Sequence, residues 1–100
     1  MPKIVWRDDA KQQLRDIANY IKARNPSAAV SYAEGIRDAC SGLSALPEQG
    51  RRYDSRYRLI VYRNHVVFYR PDAGSDTVEI IAVIDGRRDV AAILSGLPRD

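Results

Sequence analysis

Residues 51–70 read RRYDSRYRLIVYRNHVVFYR, with six arginines and a single acid in twenty positions. Within it, Tyr57–Tyr62 and Val66–Arg70 are two runs rich in β-branched and aromatic residues, the composition of strands. Asn64-His65 lies between them and supplies a two-residue turn, because Asn tolerates positive φ. The window is therefore a β-hairpin that carries more positive charge than the whole chain, whose formal net charge is +3. Arginine on a pleated surface has two common uses. Its planar fork recognises phosphates and carboxylates, or it deters edge pairing and packs its stem over the sheet.

Working outward, 78–84 (VEIIAVI) is almost wholly apolar, as expected of a central strand covered on both faces. The turn-rich segment 71–77 (PDAGSDT) joins it to the hairpin, and Asp85-Gly86 ends it. Arg87–Leu94 then has the pattern of a closing helix capped by Asp85, with Val90, Ala91, Ile93 and Leu94 inward. Ser95–Asp100 reads as a frayed tail. On the N-terminal side, Glu48–Ser55 is polar, contains Gly50, and reads as a loop.

Before that loop the period changes from two to 3.6. Lys3–Trp6 is a short strand, and Asp8 or Asp9 can cap the helix that follows. Ala10, Leu14, Ile17, Ala18 and Ile21 form an amphipathic stripe. Asn25-Pro26 ends that helix, since a residue before proline is pushed out of the α region. The same dipeptide starts the next, with Asn as N-cap and Pro in the first turn. Ala29, Tyr32, Ala33, Ile36, Cys40 and Leu43 make its stripe, and Leu46-Pro47 closes it. The order is β-α-α-β-β-β with a short terminal helix. It describes one α+β domain over 1–100: an antiparallel sheet with an αα-hairpin on one face.

Several function classes find no support. No stretch approaches the roughly 18 consecutive apolar residues of a membrane span. The N-terminus lacks the apolar core of a signal peptide, and the lone Cys40 rules out a disulfide framework, so a reducing cytoplasm is expected. One Cys and one His at unrelated positions are a poor metal set, and Cys40 on a helix stripe reads as a small buried hydrophobe. No Walker loop or GxGxxG occurs, so no cofactor is expected. His65, at a hairpin tip, reads as lying away from the partners a catalytic base needs. What remains is arginine: Arg51, Arg52, Arg58 and Arg70 in the window, and Arg87 and Arg88 in the corner Asp85-Gly86-Arg87-Arg88-Asp89. An anionic partner and a solvated surface both fit them.

A longer pattern bears on this choice. It runs from Trp6 through Leu14, Ile17 and Tyr20-Ile21 to Asn25-Pro26-Ser27-Ala28-Ala29. It continues with Leu43, Leu46-Pro47, Gly50-Arg51, Arg58 and Val67-Phe68-Tyr69-Arg70, and closes with Val83-Ile84-Asp85-Gly86-Arg87-Arg88-Asp89. This ordered series resembles the RelE/ParE superfamily of bacterial toxins, and the ParE branch most closely. The resemblance implies a toxin neutralised by a cognate antitoxin in a hetero-oligomer. ParE-like members act on DNA gyrase and block replication, whereas RelE-like members cleave messenger RNA in the ribosome. An inactive member would serve only in autoregulation by the antitoxin complex.

Residue chemistry weighs on the target. Cleavage of RNA by its 2′-hydroxyl needs a base, an acid and cationic stabilisation. Arg58, Arg70 and Arg87 could stabilise charge, but arginine stays protonated and transfers none. Where much of the superfamily has a His before the final Arg-Arg-Asp-like segment, this chain has Asp85. A non-catalytic gyrase inhibitor is the expectation, with Arg51, Arg52, Arg58, Arg70, Arg87 and Arg88 as its target-binding residues.

Overall fold

A computed structural model describes residues 1–96. The elements are β1 (Lys3–Trp6), α1 (Asp8–Lys22), α2 (Pro26–Ser41), a 3-10 turn (Gly42–Ser44), β2 (Arg51–Arg52), β3 (Arg58–Tyr62), β4 (His65–Asp72), β5 (Thr77–Asp85) and α3 (Val90–Ser95). This is the expected α+β order with one strand added. The strands form a single sheet in the order β1-β5-β4-β3-β2.

The sheet is mixed, not wholly antiparallel, because β1 pairs in parallel with β5, Lys3 opposite Thr77 and Trp6 opposite Ile80. β5 thus lies between β1 and β4 as far as Ile80, and its apolar run is continuous because both of its faces are packed. Among the described residues, no strand lies beside the outer edge of β5 beyond Ile80. Helix α1 covers it instead, and the Gln13 carboxamide accepts the Val83 amide at 2.7 Å.

Both faces of the sheet are packed. The αα-hairpin places Ala10, Leu14, Ala33, Ile36, Cys40 and Leu43 on Val67, Tyr69, Val78, Ile80 and Val83. The opposite face gathers Leu59, Phe68, Ile81, Ala82 and Ile84 beneath Leu94, Val90 and Ile93 of α3. A register shift makes this possible: Phe68 pairs with Ala82 but Tyr69 with Ile80. Ile81 is the extra residue, so the alternation of β5 changes phase there, as at a β-bulge.

Local chemistry accounts for the boundaries and for four departures from expectation. Asn25 caps α2 by accepting the Ala28 amide. In α1 the N-cap position is Arg7 with no side-chain bond, and Asp8 and Asp9 fall in the first turn, where they complement the helix dipole. In α3 the cap is Asp89, which accepts the Ala92 amide at 3.2 Å, so the helix begins later than the corner and is not capped by Asp85. The hairpin turn is Arg63-Asn64, and Arg63 takes the positive φ, 53°. Arg51 and Arg52 are a short strand, not loop, with Arg52 opposite Arg58. Ser95 closes α3, and the rest of the expected tail, 97–100, lies outside the described residues.

Candidate functional site

The candidate arginines fall at two ends of the sheet. Arg51 and Arg52 are exposed on edge strand β2. Beside them Arg58 is half-buried and works as a strut. Its Nη1 donates to the Gly50 carbonyl at 2.9 Å and to the Glu48 carbonyl at 3.4 Å, and its Nη2 lies 3.5 Å from the Glu48 carboxylate. Arg58 stands opposite Tyr69 and shares a face with Ile60 and Tyr62, the face that carries the αα-hairpin. A cleft of about 820 Å³ opens next to these residues, lined by Arg52, Arg56, Arg58, Tyr57, Leu46 and Asp72 among others.

Arg70 is on the other face, with Phe68, and its guanidinium donates to Glu79 at 2.7 Å. Arg7 approaches the same carboxylate at 3.9 Å. The structure therefore puts Arg58 and Arg70 on opposite sides of the sheet, each held by neighbours. Arg87 and Arg88 lie just past the far end of β5, whose last residue, Asp85, is six residues beyond Glu79, or about 20 Å at ~3.3 Å per residue. Both are exposed.

At that far end the corner is an ion pair built into a turn. Asp85 accepts from the Arg87 amide at 2.9 Å and from its guanidinium at 3.1 and 2.7 Å. These bonds hold the Asp85 carboxyl well below the usual carboxylate range. Asp85 is thus a fixed anion and carries no exchangeable proton near neutral pH.

One group escaped the reading of the sequence. His65 is not an isolated hairpin tip. It begins β4, faces Asp85 across the ladder, and its Nδ1 is 2.6 Å from the Tyr32 hydroxyl of α2. Tyr32 and Tyr62 meet edge to face at 5.3 Å, and Arg63 lies over both rings, 5.9 and 5.5 Å from their centroids. Burial lowers the pKa of His65 and raises that of Tyr32. Tyr32 was visible only as one position of an apolar stripe. Its pairing with His65, 33 residues away, has no local signature. Among the described residues no group of three or more His, Cys, Asp and Glu could hold a metal ion. No helix there is long and apolar enough to cross a membrane.

Comparison with known proteins adds to this geometry. The family model described as the ParE toxin of type II toxin-antitoxin system, parDE, matches residues 4–90. A solved chain from a chromosomal ParDE TA system from P. aeruginosa has the same fold, with TM-score 0.74. That match covers 85% of this chain and 96% of that one, at 15% identity. No curated protein matches the sequence.

Proposed function

Because the chain belongs to the ParE toxin family of type II toxin–antitoxin systems, we propose that it is a toxin that inhibits DNA gyrase and so blocks replication. In this reading it acts in the cytoplasm through a binding surface and is neutralised by a cognate antitoxin in a hetero-oligomer. The observation that carries it is the Asp85–Arg87 corner inside the span matched to the ParE family. A carboxylate pinned by its own arginine gives that corner no proton to transfer, which suits docking better than catalysis.

The target surface comprises Arg51, Arg52 and Arg58 at one end, Arg70 on the reverse face, and Arg87 and Arg88 at the other end. Arg51, Arg52, Arg87 and Arg88 are the exposed members, so replacing them tests the surface without removing the struts that Arg58 and Arg70 provide. Purified toxin should inhibit gyrase supercoiling, and the fourfold change of these residues to Ala should abolish inhibition with the fold intact. Supercoiling unaffected by wild-type toxin would end the gyrase assignment. For the antitoxin, we propose a segment covering exposed apolar side chains of the αα-hairpin and sheet edge, such as Val30 and Val61, 58% and 65% exposed. Its addition should raise the melting temperature of the toxin.

A specific observation favours a second reading. The Tyr32–His65 pair, with Arg63 beside it, offers a neutral base and an acid near cationic charge, the set that RNA cleavage requires. Primer extension on messenger RNA after induction separates the two. Cuts within codons that vanish in His65→Gln support a ribosome-dependent RNase, whereas intact messages with an SOS response support gyrase.

A further inference from the structure

Three connections meet at the end of the molecule where β5 finishes. Helix α1 runs alongside β5, with the Arg7 amide on the Ile80 carbonyl and Gln13 on Val83, so its C-terminus arrives there. Tyr32 ties the start of α2 to the β3–β4 turn through Tyr62 and His65. The Gly86 amide donates to the Asn64 carbonyl at 2.9 Å and joins the β5–α3 corner to the same turn. These connections carry Lys22, Arg24, Arg63, Arg87 and Arg88 against Asp85 and Asp89. Both acids are already engaged, Asp85 by Arg87 and Asp89 as the cap of α3. No carboxylate of the described residues is within ion-pair distance of Arg24, Arg63 or Arg88.

Two of the guanidinium groups here are preorganised by aromatic rings. Arg63 rests on Tyr32 and Tyr62, and Arg24 on Tyr20 at 5.5 Å from the ring centroid. Stacking fixes the plane of a guanidinium and leaves its N–H edge for an acceptor, which suits phosphate. None of these residues lines the 820 Å³ cleft. An extended polyanion therefore fits this end better than a small molecule. The rings of Tyr32 and Tyr62 are packed on each other beneath Arg63 and cannot receive a base, so the contact is with the backbone and needs no unpaired strand.

We propose that Arg24, Arg63, Arg87 and Arg88 bind the phosphate backbone of duplex DNA. This deepens the gyrase reading by assigning Arg87 and Arg88 to the DNA that the enzyme holds. It is measured without gyrase, so its failure is distinct from a failure to inhibit supercoiling.

The test is fluorescence anisotropy of a labelled 20-base-pair duplex with purified full-length toxin, titrated at several salt concentrations. Four phosphate contacts give a slope of log Kobs against log salt of about −3.6 at ~0.9 per contact, or roughly a hundredfold loss between 50 and 200 mM. Arg24→Gln with Arg63→Gln should halve that slope to about −1.8 and leave the circular dichroism unchanged. Lys11→Gln with Arg37→Gln, which removes the same charge from exposed helix positions elsewhere, should keep the wild-type slope. Absence of binding by wild-type toxin at 50 mM salt overturns the proposal. So does an equal fall in slope for both double variants, which would mark diffuse attraction to net charge.

Discussion

Gly50→Ala tests how the arginine-bearing edge is held. Gly50 is buried, and no described glycine has positive φ, so conformational freedom is not what the position requires. Space is. A Cβ there would lie 2.6 Å from the Leu59 carbonyl oxygen, 2.6 Å from the Tyr69 hydroxyl and 2.7 Å from Tyr69 Cε1. Neither neighbour can give way, since one is backbone of β3 and the other a ring that is 0% exposed. Relieving the overlap must also disturb the 2.8 Å bond from the Gly50 amide to Tyr69 Oη, a buried donor without another partner. Overpacking costs about 1–3 kcal/mol, and a buried N–H left unpaired about 1–3 more. A combined loss of roughly 3–5 kcal/mol is expected, a large share of the ~5–15 kcal/mol of a typical domain. At about 4–8 °C per kcal/mol for a chain of this size, the melting temperature should fall by at least about 12 °C.

The hydroxyl provides an internal control. Tyr69→Phe alone leaves the Gly50 amide unpaired and should cost about 1–3 kcal/mol. In that background Gly50→Ala should cost less than in wild type, because one of its two oxygen contacts has gone and the hydrogen bond is already lost. Urea unfolding of the four proteins measures the coupling. A Gly50→Ala midpoint equivalent to within about 1 kcal/mol of wild type, or strict additivity with Tyr69→Phe, would refute the close-approach argument.

Other expectations concern titration, reactivity and capping. The pKa of His65 is lowered below 6.5 by burial, so the unfolded chain binds its proton first. Stability should therefore drop as pH falls through 6.5 toward the folded value, and His65→Gln should flatten that dependence in urea midpoints taken at pH 5 and 7.5. The Cys40 thiol, fully buried and pushed up to about 12, should not react with Ellman's reagent at pH 8 until denaturant is added. Glu79→Ala removes the carboxylate between Arg7 and Arg70 and should cost about 1–3 kcal/mol by thermal unfolding, more than Glu79→Gln. Asp89→Ala removes the cap of α3, worth about 1 kcal/mol. Hydrogen exchange should then speed up in α3 while β4 and β5 stay protected.

Much of the fold was legible because its helices bury regular stripes. Ala10, Leu14, Ile17 and Ala18, then Ala33, Ile36, Cys40 and Leu43, all belong to the core beneath the αα-hairpin. The misplaced turn did no harm to the faces. Moving it from Asn64-His65 to Arg63-Asn64 shifts each partner by two residues, and a shift of two preserves which side every residue occupies. Strand β2 was illegible because two arginines have no apolar period, and their pairing depends on how closely Gly50 approaches β3. The parallel place of β1 and the cover that α3 gives the second face are also tertiary outcomes. So is the Tyr32–His65 bond.

The same distinction explains why a contiguous charge window does not make a contiguous surface. Strand positions alternate, so Arg58 and Arg70 had to leave the sheet on opposite faces once Arg58 stood opposite Tyr69. At partly buried positions a guanidinium must find acceptors, since an unpaired charge there is costly. Arg58 takes the carbonyls of Glu48 and Gly50, and Arg70 takes Glu79. Turns and corners impose no such demand. Arg63 at the tip and Arg88 beyond β5 are exposed, Arg87 is exposed while paired with Asp85, and the backbone brings them together through the Gly86–Asn64 bond. The half-buried strand arginines thus go first to structure, while Arg51 and Arg52 on edge strand β2 stay exposed. The proposed phosphate contacts fall instead at the ends of elements, where Arg63 from the window lies with Arg24, Arg87 and Arg88 from outside it.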